Sequence, residues 1–190
     1  MYNLVIFGPP GAGKGTQSDK IIEKYQLQHI STGDMFRAHI ANKTELGLEV
    51  QSILDNGILV PDEITIRMLE NEMSQHTEVK GFILDGFPRT VTQAEALDKF
   101  LASKGQKVNL VLELVVSQTE IEQRIAERAK VSGRADDNAE KLIKRIDEYF
   151  TKTVHVLPYY EAQNKVSKVN GIGDIEIIFG DITKAIDKTL

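Results

Sequence analysis

A glycine-rich loop between an apolar strand and a helix is the feature that most constrains this chain. Residues 2–7 (YNLVIF) form a short apolar run, and glycine follows at once. A run of this kind is typical of a strand buried in a parallel sheet. Residues 8–16 (GPPGAGKGT) form the loop, and a helix is predicted from Thr16 to Tyr25. The sequence therefore begins with a strand–loop–helix unit.

The composition of this loop predicts that it binds polyphosphate. Backbone N–H groups can approach a phosphate closely only where side chains do not intervene, which explains the glycines. The helix that follows adds partial positive charge and unpaired N–H groups at its N-terminus. Lys14 supplies a full charge for the β- and γ-phosphates. The general motif has Ser or Thr directly after the lysine, whereas Gly15 follows here and the hydroxyl comes at Thr16, so direct ligation of Mg²⁺ by Thr16 is not assumed.

Strands and helices alternate along the rest of the chain. Further strands are predicted at 29–30, 82–85, 110–116 and 166–169, with helical patterns between them. The last helix is predicted to begin after Asp174, which is a suitable N-cap residue. This alternation predicts an α/β fold with a five-stranded parallel sheet and helices on both faces, of the P-loop NTPase type.

Two segments interrupt the alternation. Residues 31–60 contain two helical patterns and no strand, and residues 127–137 (ERAKVSGRADD) are polar and loop-like between two helices. Both are expected to lie over the carboxyl edge of the sheet, where open α/β sheets bind ligands. We expect a single domain, 1–190, in which these two segments are inserts and the remainder is the core.

Two further motifs follow the second and third predicted strands. Residues 30–37 read ISTGDMFR, residues 81–90 read GFILDGFPRT, and Gln93 comes shortly after. Together with the loop GPPGAGKGTQ, these motifs resemble the adenylate kinase family, and the resemblance runs from the first strand to the last helix. It implies reversible phosphoryl transfer, ATP + AMP = 2 ADP, with Mg²⁺ bound to ATP. It also implies that 31–60 is an AMP-binding insert and that 127–137 is a short lid.

The resemblance assigns each nucleotide a set of residues. The residues implied for ATP are Gly11, Ala12, Gly13, Lys14, Gly15, Thr16, Arg124, Arg128 and Gly173. Those implied for AMP are Thr32, Arg37, Ile58, Leu59, Val60, Gly86, Phe87, Pro88, Arg89, Gln93, Arg134 and Arg145. The implied catalytic cations are Lys14, Arg89, Arg124, Arg128, Arg134 and Arg145, and Asp85 is implied to hold Mg²⁺ through water.

The residue types suit these implied roles. A planar guanidinium binds phosphate oxygens bidentately, and positioned cations stabilise the charge on a phosphoryl group in transfer. The Gln93 amide both donates and accepts hydrogen bonds, as a purine edge requires. The acceptor phosphate has a second pKa of about 6, so it is itself the nucleophile and no general base is needed. His29, His39, His76 and His155 are scattered and receive no role.

Composition limits the cofactors and partners. The chain has no cysteine, which excludes disulfides, and the predicted lid lacks the extra β-unit with a cysteine zinc site that long-lid relatives carry, so no structural zinc is expected. A net charge of −5 argues against nucleic acid and anionic membranes as partners. Without a signal peptide, a membrane-length apolar run or heptads, we expect a cytoplasmic monomer.

Three alternatives are weighed against this interpretation. UMP/CMP kinases typically carry a smaller residue at the position of Thr32 and an asparagine-containing segment after the GFPR motif, so Thr32 and Gln93 favour AMP. A GTP-binding switch protein would need an Asn-Lys-x-Asp element, and the nearest match, residues 42–45 (NKTE), lacks the aspartate. A non-catalytic nucleotide-binding scaffold would have no need for the arginine set.

Overall fold

The computed structural model describes residues 1–131 and 139–190, with side chains described at 1–127 and 140–190. The described residues form one five-stranded sheet in which every pairing is parallel and the strand order is β2-β3-β1-β4-β5. The strands are β1 (Tyr2–Phe7), β2 (Gln28–Ser31), β3 (Gly81–Asp85), β4 (Val108–Val115) and β5 (Val166–Asn170). The predicted α/β fold with a five-stranded parallel sheet is confirmed.

Helices connect the strands. They are α1 (Lys14–Tyr25), α2 (Thr32–Ala41), α3 (Glu45–Asp55), α4 (Asp62–Gln75), α5 (Val91–Ser103), α6 (Gln118–Val131), α7 (Ala139–Thr151), α8 (Val156–Glu161) and α9 (Ile175–Asp187). The predicted N-cap Asp174 is confirmed, because its carboxylate accepts the backbone N–H groups of Glu176 and Ile177 at 2.8 and 3.2 Å. The prediction of a loop at residues 127–131 is wrong, because α6 is helical to Val131, and residues 132–137 of the predicted loop lie outside the described residues.

The core consists of two apolar layers, one on each face of the sheet. Side chains alternate along β1, so Leu4 and Ile6 face α1 and α9, whereas Val5 and Phe7 face α4, α5, α7 and α8. All of β1 is buried, as expected for a central strand covered on both faces. The continuous apolar run that predicted β1 is therefore explained by burial on both sides.

The carboxyl ends of all five strands lie at one edge of the sheet. The chain leaves β1 towards β2 at one side and leaves β4 towards β5 at the other. Since β1 and β4 are neighbours and their connections run in opposite directions, a crevice forms between them at this edge, where open α/β sheets bind ligands. The loop 8–13 begins at this crevice, directly after β1.

The segment between β2 and β3 contains its own small core. Residues 32–80, all of them described, contain α2, α3 and α4 and no strand. Four buried apolar side chains pack together there, namely Phe36, Val50, Val60 and Met68. Helices α2 and α3 approach so closely that a methyl group on Gly47 would lie 2.2 Å from the His39 carbonyl oxygen. The two predicted helical segments within 31–60 are thus confirmed.

Within the described ranges 1–131 and 139–190, no helix is both long and apolar enough to cross a membrane.

One buried carboxylate on β4 leads to a prediction about stability. Burial raises the pKa of Glu113, Lys168 opposes that rise, and Glu161 adds to it. The carboxylate lies 3.7 Å from the Lys168 ammonium. The pKa of Tyr149 is raised mainly by the burial of Tyr149 itself and, to a smaller extent, by the negative charge of Glu113. A glutamate whose pKa is raised in the folded state stabilises the fold below its unfolded pKa, about 4.3, and loses that contribution as pH rises through the folded value.

We therefore expect Glu113→Gln to raise the melting temperature at pH 8, where the wild type carries a desolvated charge. The gain should shrink as pH falls towards the unfolded pKa, because the folded wild-type carboxyl binds its proton at a higher pH than the unfolded one does. Calorimetry between pH 5 and 8 measures this, and Glu161→Gln is the matched control because that exposed carboxylate pairs with the same lysine. A gain that does not change with pH would contradict the assignment to Glu113 titration.

Candidate active site

The loop after β1 wraps around the N-terminus of α1. Gly13 is the N-cap residue of α1 and has φ of 90°, a left-handed conformation that glycine adopts without strain. The helix begins at Lys14, two positions before the predicted start at Thr16, so Lys14, Gly15 and Thr16 form its first turn. The first backbone N–H groups of a helix have no partner within it. The Lys14 ammonium donates to the carbonyl oxygens of Gly8 and Pro9 at 2.9 and 3.3 Å, which holds it over the loop.

Arg124 connects this loop to the end of the sheet. Its Nη1 donates to the Ala12 carbonyl at 3.2 Å and its Nη2 donates to the Gly171 carbonyl at 2.7 Å. Its Nε donates to the Glu120 carboxylate, one turn earlier on α6, at 2.7 Å. One guanidinium thus fixes the distance between the loop after β1 and the loop after β5.

The loop after β5 packs closely at its first residue and is open beyond it. A methyl group on Gly171 would lie 2.7 Å from Val116 Cγ2. The backbone N–H of Gly171 donates to the Val115 carbonyl at 2.8 Å. Gly173 and its neighbours Ile172 and Ile175 are exposed. The predicted contact residue Gly173 therefore belongs to an open segment that Gly171 anchors.

A cleft opens beside Lys14. Three of its lining residues are the cations Lys14, Arg89 and Arg145. They come from three separate parts of the chain, namely α1, the loop after β3, and α7. The other lining residues are Ile6, Phe7, Gly8, Pro10, Gly57, Leu59, Gly86, Phe87, Pro88, Glu148, Tyr149 and Thr153.

A second cleft adjoins the first and is more apolar. Leu59, Gly86 and Arg89 line both. The remaining lining residues of the second cleft are Thr32, Gly33, Phe36, Leu54, Val60, Thr65 and Gln93. A wall of aliphatic and aromatic side chains with three buried polar residues, Thr32, Thr65 and Gln93, is the usual composition of a small-molecule site.

The Gly86 carbonyl organises the boundary between the two clefts. It accepts hydrogen bonds from Thr32 Oγ1 at 2.9 Å and from Arg89 Nε at 2.7 Å. Gly86 has φ of 78°, and a methyl group there would lie 2.9 Å from Arg89 Nη2 and 3.0 Å from Thr32 Oγ1. Only glycine therefore fits between the two side chains in this conformation.

The comparisons with known proteins agree with this geometry. The family model described as adenylate kinase matches residues 6–165. The chain belongs to the adenylate kinase family. It is 48% identical over 188 residues to the adenylate kinase of Bacteroides thetaiotaomicron, covering 99% of this chain and 100% of that protein. It is 49% identical to that of Flavobacterium psychrophilum, with 100% and 98% covered, and 45% identical to that of Caulobacter vibrioides, with 97% and 97% covered. The predicted family, and with it the predicted class of nucleotide phosphotransferase, is confirmed.

The site residues that the adenylate kinase resemblance implies do not all line the two clefts. Most of them line the two clefts or the loop after β1, as described above. Arg37 forms an ion pair with Asp34 on the same helix. Ile58 is 49% exposed and is not among the described lining residues of either cleft, unlike Leu59 and Val60. Arg128 lies in α6 without a described side chain, and Arg134 lies outside the described residues.

Several lining residues were not predicted from the sequence. Glu148, Tyr149 and Thr153 contribute to the cation-lined cleft from the end of α7 and the turn that follows it. Asp62 contacts the Gln93 side chain, and Gly171 contacts Arg124. Spacing could have placed Glu148 and Tyr149 one helical turn after Arg145, on the same side of α7. No local pattern identifies Asp62 or Gly171.

Asp85 is suited to the Mg²⁺ that the adenylate kinase family implies. It ends β3 opposite Ile6 of β1, so it lies close to the loop after β1, and it is half-buried. Among the described side chains, at residues 1–127 and 140–190, its carboxylate has no hydrogen-bond or ion-pair partner. A free hard oxygen donor beside phosphates is what Mg²⁺ needs, since this ion keeps several waters and takes one or two carboxylates. In the part of the chain that the structure describes, no group of three or more acidic or histidine side chains could hold a metal.

The position of Arg124 leads to a prediction. Arg124→Lys keeps the charge but cannot donate to Ala12, Gly171 and Glu120 together, because a lysine has one terminal nitrogen. We expect the KM for ATP to rise about tenfold, since charged hydrogen bonds contribute about 1.5–3 kcal/mol each and ~1.4 kcal/mol corresponds to tenfold. The KM for AMP should change little.

Steady-state kinetics with each nucleotide varied in turn measures this change, and Arg67→Lys on the exposed side of α4 is the control. Equal effects on both KM values would contradict a connection specific to the loops after β1 and β5.

Proposed function

We propose that this chain transfers the terminal phosphoryl group of Mg·ATP to AMP and forms two ADP. The observation that carries the proposal is the cleft in which Lys14, Arg89 and Arg145 converge between the loop after β1 and the pocket of Thr32 and Gln93. A polyphosphate on one side and a nucleoside monophosphate on the other would place their phosphates in the same cleft. Such proximity is the main requirement for transfer between them.

ATP is assigned to the loop after β1. The first turn of α1 offers backbone N–H groups and partial positive charge, and Lys14 would turn from the Gly8 and Pro9 carbonyls to the phosphates. The adenine would lie at the open segment around Gly173. Arg124 would position the binding sites for both the phosphates and the adenine of ATP, because it holds the loop after β1 at a fixed distance from Gly171.

AMP is assigned to the adjoining cleft. The base would lie against Leu59 and Val60 with its edge towards Gln93 and Thr32. The Thr32 hydroxyl already donates to Gly86, which leaves its lone pairs to accept from an amino group. The AMP phosphate would then reach Arg89 in the shared part of the two clefts, and Arg37 would exchange its partner Asp34 for that phosphate.

The mechanism needs charge stabilisation rather than a base. The AMP phosphate is largely dianionic at neutral pH, so its oxygen attacks the γ-phosphorus directly. Arg89 would orient this nucleophile, while Lys14 and Arg145 would stabilise charge that spreads over the transferred group. Asp85 would hold Mg²⁺ through water, and the ion would neutralise charge on the ATP phosphates.

The insert 31–60 and the lid 127–137 are proposed to exclude water. Arg128 and Arg134 are assigned to the phosphates by resemblance, and both side chains lie outside those described. Arg134→Ala should lower kcat more than it raises the KM for ATP if its contact matters most during transfer.

A cytoplasmic monomer also stays a prediction from the sequence, and sedimentation of the purified chain tests the oligomeric state.

Lys14→Met should lower kcat by at least about a hundredfold, because a positioned charge on the transferring group is lost. The coupled assay for ADP formation from ATP and AMP measures this. Lys20→Met is the matched control, since Lys20 lies on the same helix and pairs with Glu176 at the surface. A folded Lys14→Met chain with near-normal turnover would refute the proposed ATP site.

Acceptor choice is the second test. The wild type should prefer AMP to UMP and CMP, because Thr32 and Gln93 offer the hydrogen-bonding groups that a purine edge requires. Thr32→Ala should narrow the preference by removing one polar contact, an effect of roughly tenfold. Competition assays with mixed acceptors measure the ratio. Equal use of UMP and AMP by the wild type would favour the UMP/CMP kinase alternative.

A further inference from the structure

The side-chain amide of Gln93 is held at both ends by groups of opposite character. The Arg89 backbone N–H donates to Gln93 Oε1 at 2.7 Å, and Gln93 Nε2 donates to Asp62 Oδ1 at 2.8 Å. A backbone N–H can only donate and a carboxylate can only accept. Gln93 is 2% exposed, so losing either hydrogen bond would be costly, and reversing the amide would set N–H against N–H at one end and oxygen against oxygen at the other.

Asp62 is itself fixed in place. Thr90 Oγ1 donates to its second oxygen, Oδ2, at 2.9 Å, and the same Oγ1 accepts the backbone N–H of Gln93 at 3.1 Å as the N-cap of α5. Asp62 is also the first residue of α4, where a negative charge is favoured by the helix dipole. The carboxylate therefore joins the start of α4 to the start of α5 with both of its oxygens used.

The fixed amide determines which hydrogen-bonding groups face the base. Each amide has two N–H donors and two lone pairs on oxygen, and one of each is used by Asp62 and Arg89. One donor and one acceptor are left, in a fixed order. Adenine places an amino donor beside a ring-nitrogen acceptor, whereas hypoxanthine places a carbonyl acceptor beside an N–H donor. In one base position, a fixed amide can match only one of these edges.

We propose that Asp62 is a positioning residue for acceptor specificity, which holds the Gln93 amide in the orientation that selects a 6-aminopurine monophosphate over a 6-oxopurine monophosphate. This inference rests on the proposed function, since it takes AMP to be the acceptor and Gln93 to face its base. Asp62 touches neither nucleotide and acts only through Gln93.

The test compares Asp62→Ala with Asp62→Asn, using AMP and IMP as acceptors. Asp62→Ala frees one end of the amide, so the KM for AMP should rise about tenfold and the AMP-to-IMP ratio of kcat/KM should fall about tenfold, the effect of one buried hydrogen bond to a charged group. The values of kcat and of the KM for ATP should stay within about twofold. Asp62→Asn should stay near wild type, because its oxygen can accept from Gln93 while its NH₂ donates to Thr90.

Glu63→Ala is the matched control, because Glu63 is an exposed carboxylate in the same first turn of α4. It should leave both the KM for AMP and the AMP-to-IMP ratio unchanged. A second comparison introduces Asp62→Ala into Gln93→Ala, where it should have no further effect on either quantity. A further loss in that background would overturn the inference, as would equal losses in Asp62→Ala and Asp62→Asn.

The outcomes separate this inference from the proposed function. A wild type that does not use AMP contradicts the proposed function. A normal KM for AMP in Gln93→Ala contradicts recognition of the base by Gln93 and overturns the role of Asp62 with it. An impaired Gln93→Ala beside an unaffected Asp62→Ala overturns the role of Asp62 alone.

Discussion

The parallel pairing of β1 with β3 is the constraint on which the rest of this structure depends. Ile6 lies opposite Asp85, so the loop after β1 and the loop after β3 begin side by side at the same edge of the sheet. Because β1 is buried on both faces, this register is strongly specified, and a slip of one residue would expose half of its apolar side chains. The distance between the two clefts, which we propose to be the nucleotide sites, is therefore set by backbone hydrogen bonds in the core.

The polar groups at this edge fall into two kinds. Those around the acceptor pocket are already ordered by the protein, since Gly86 holds Thr32 and Arg89 while Asp62 and the Arg89 N–H hold Gln93. The cations of the central cleft instead come from three separate elements and converge where an anion would lie. Because these positive charges repel one another, a bound phosphate should stabilise the arrangement in which all three line the cleft. In the proposed function, base recognition would therefore use side chains that the protein has already positioned, whereas transfer would use cations that bound phosphate stabilises.

Much of this arrangement could be predicted from the sequence, for a physical reason. In a parallel α/β fold, strands end at one edge, so motifs that directly follow strands must meet, as the segments beginning at Gly8 and Gly86 do. Contacts between elements distant in the chain could not be predicted, because Asp62 and Gln93 meet only through the packing of α4 beside α5. Within the segment 58–60, the sequence alone could not show that Ile58 is exposed while Val60 is buried. The end of α6 was placed too early because its last turn is polar.

If the proposed sites for ATP and AMP lie at a fixed separation, one ligand can span both. A dinucleotide in which two adenosines are joined by a chain of five phosphates would occupy both pockets, and titration calorimetry measures its affinity and stoichiometry. We expect one molecule bound per chain, at least about a hundredfold more tightly than ATP or AMP alone, because the second half binds at high effective concentration. Two molecules per chain, or one bound no more tightly than ATP, would contradict it.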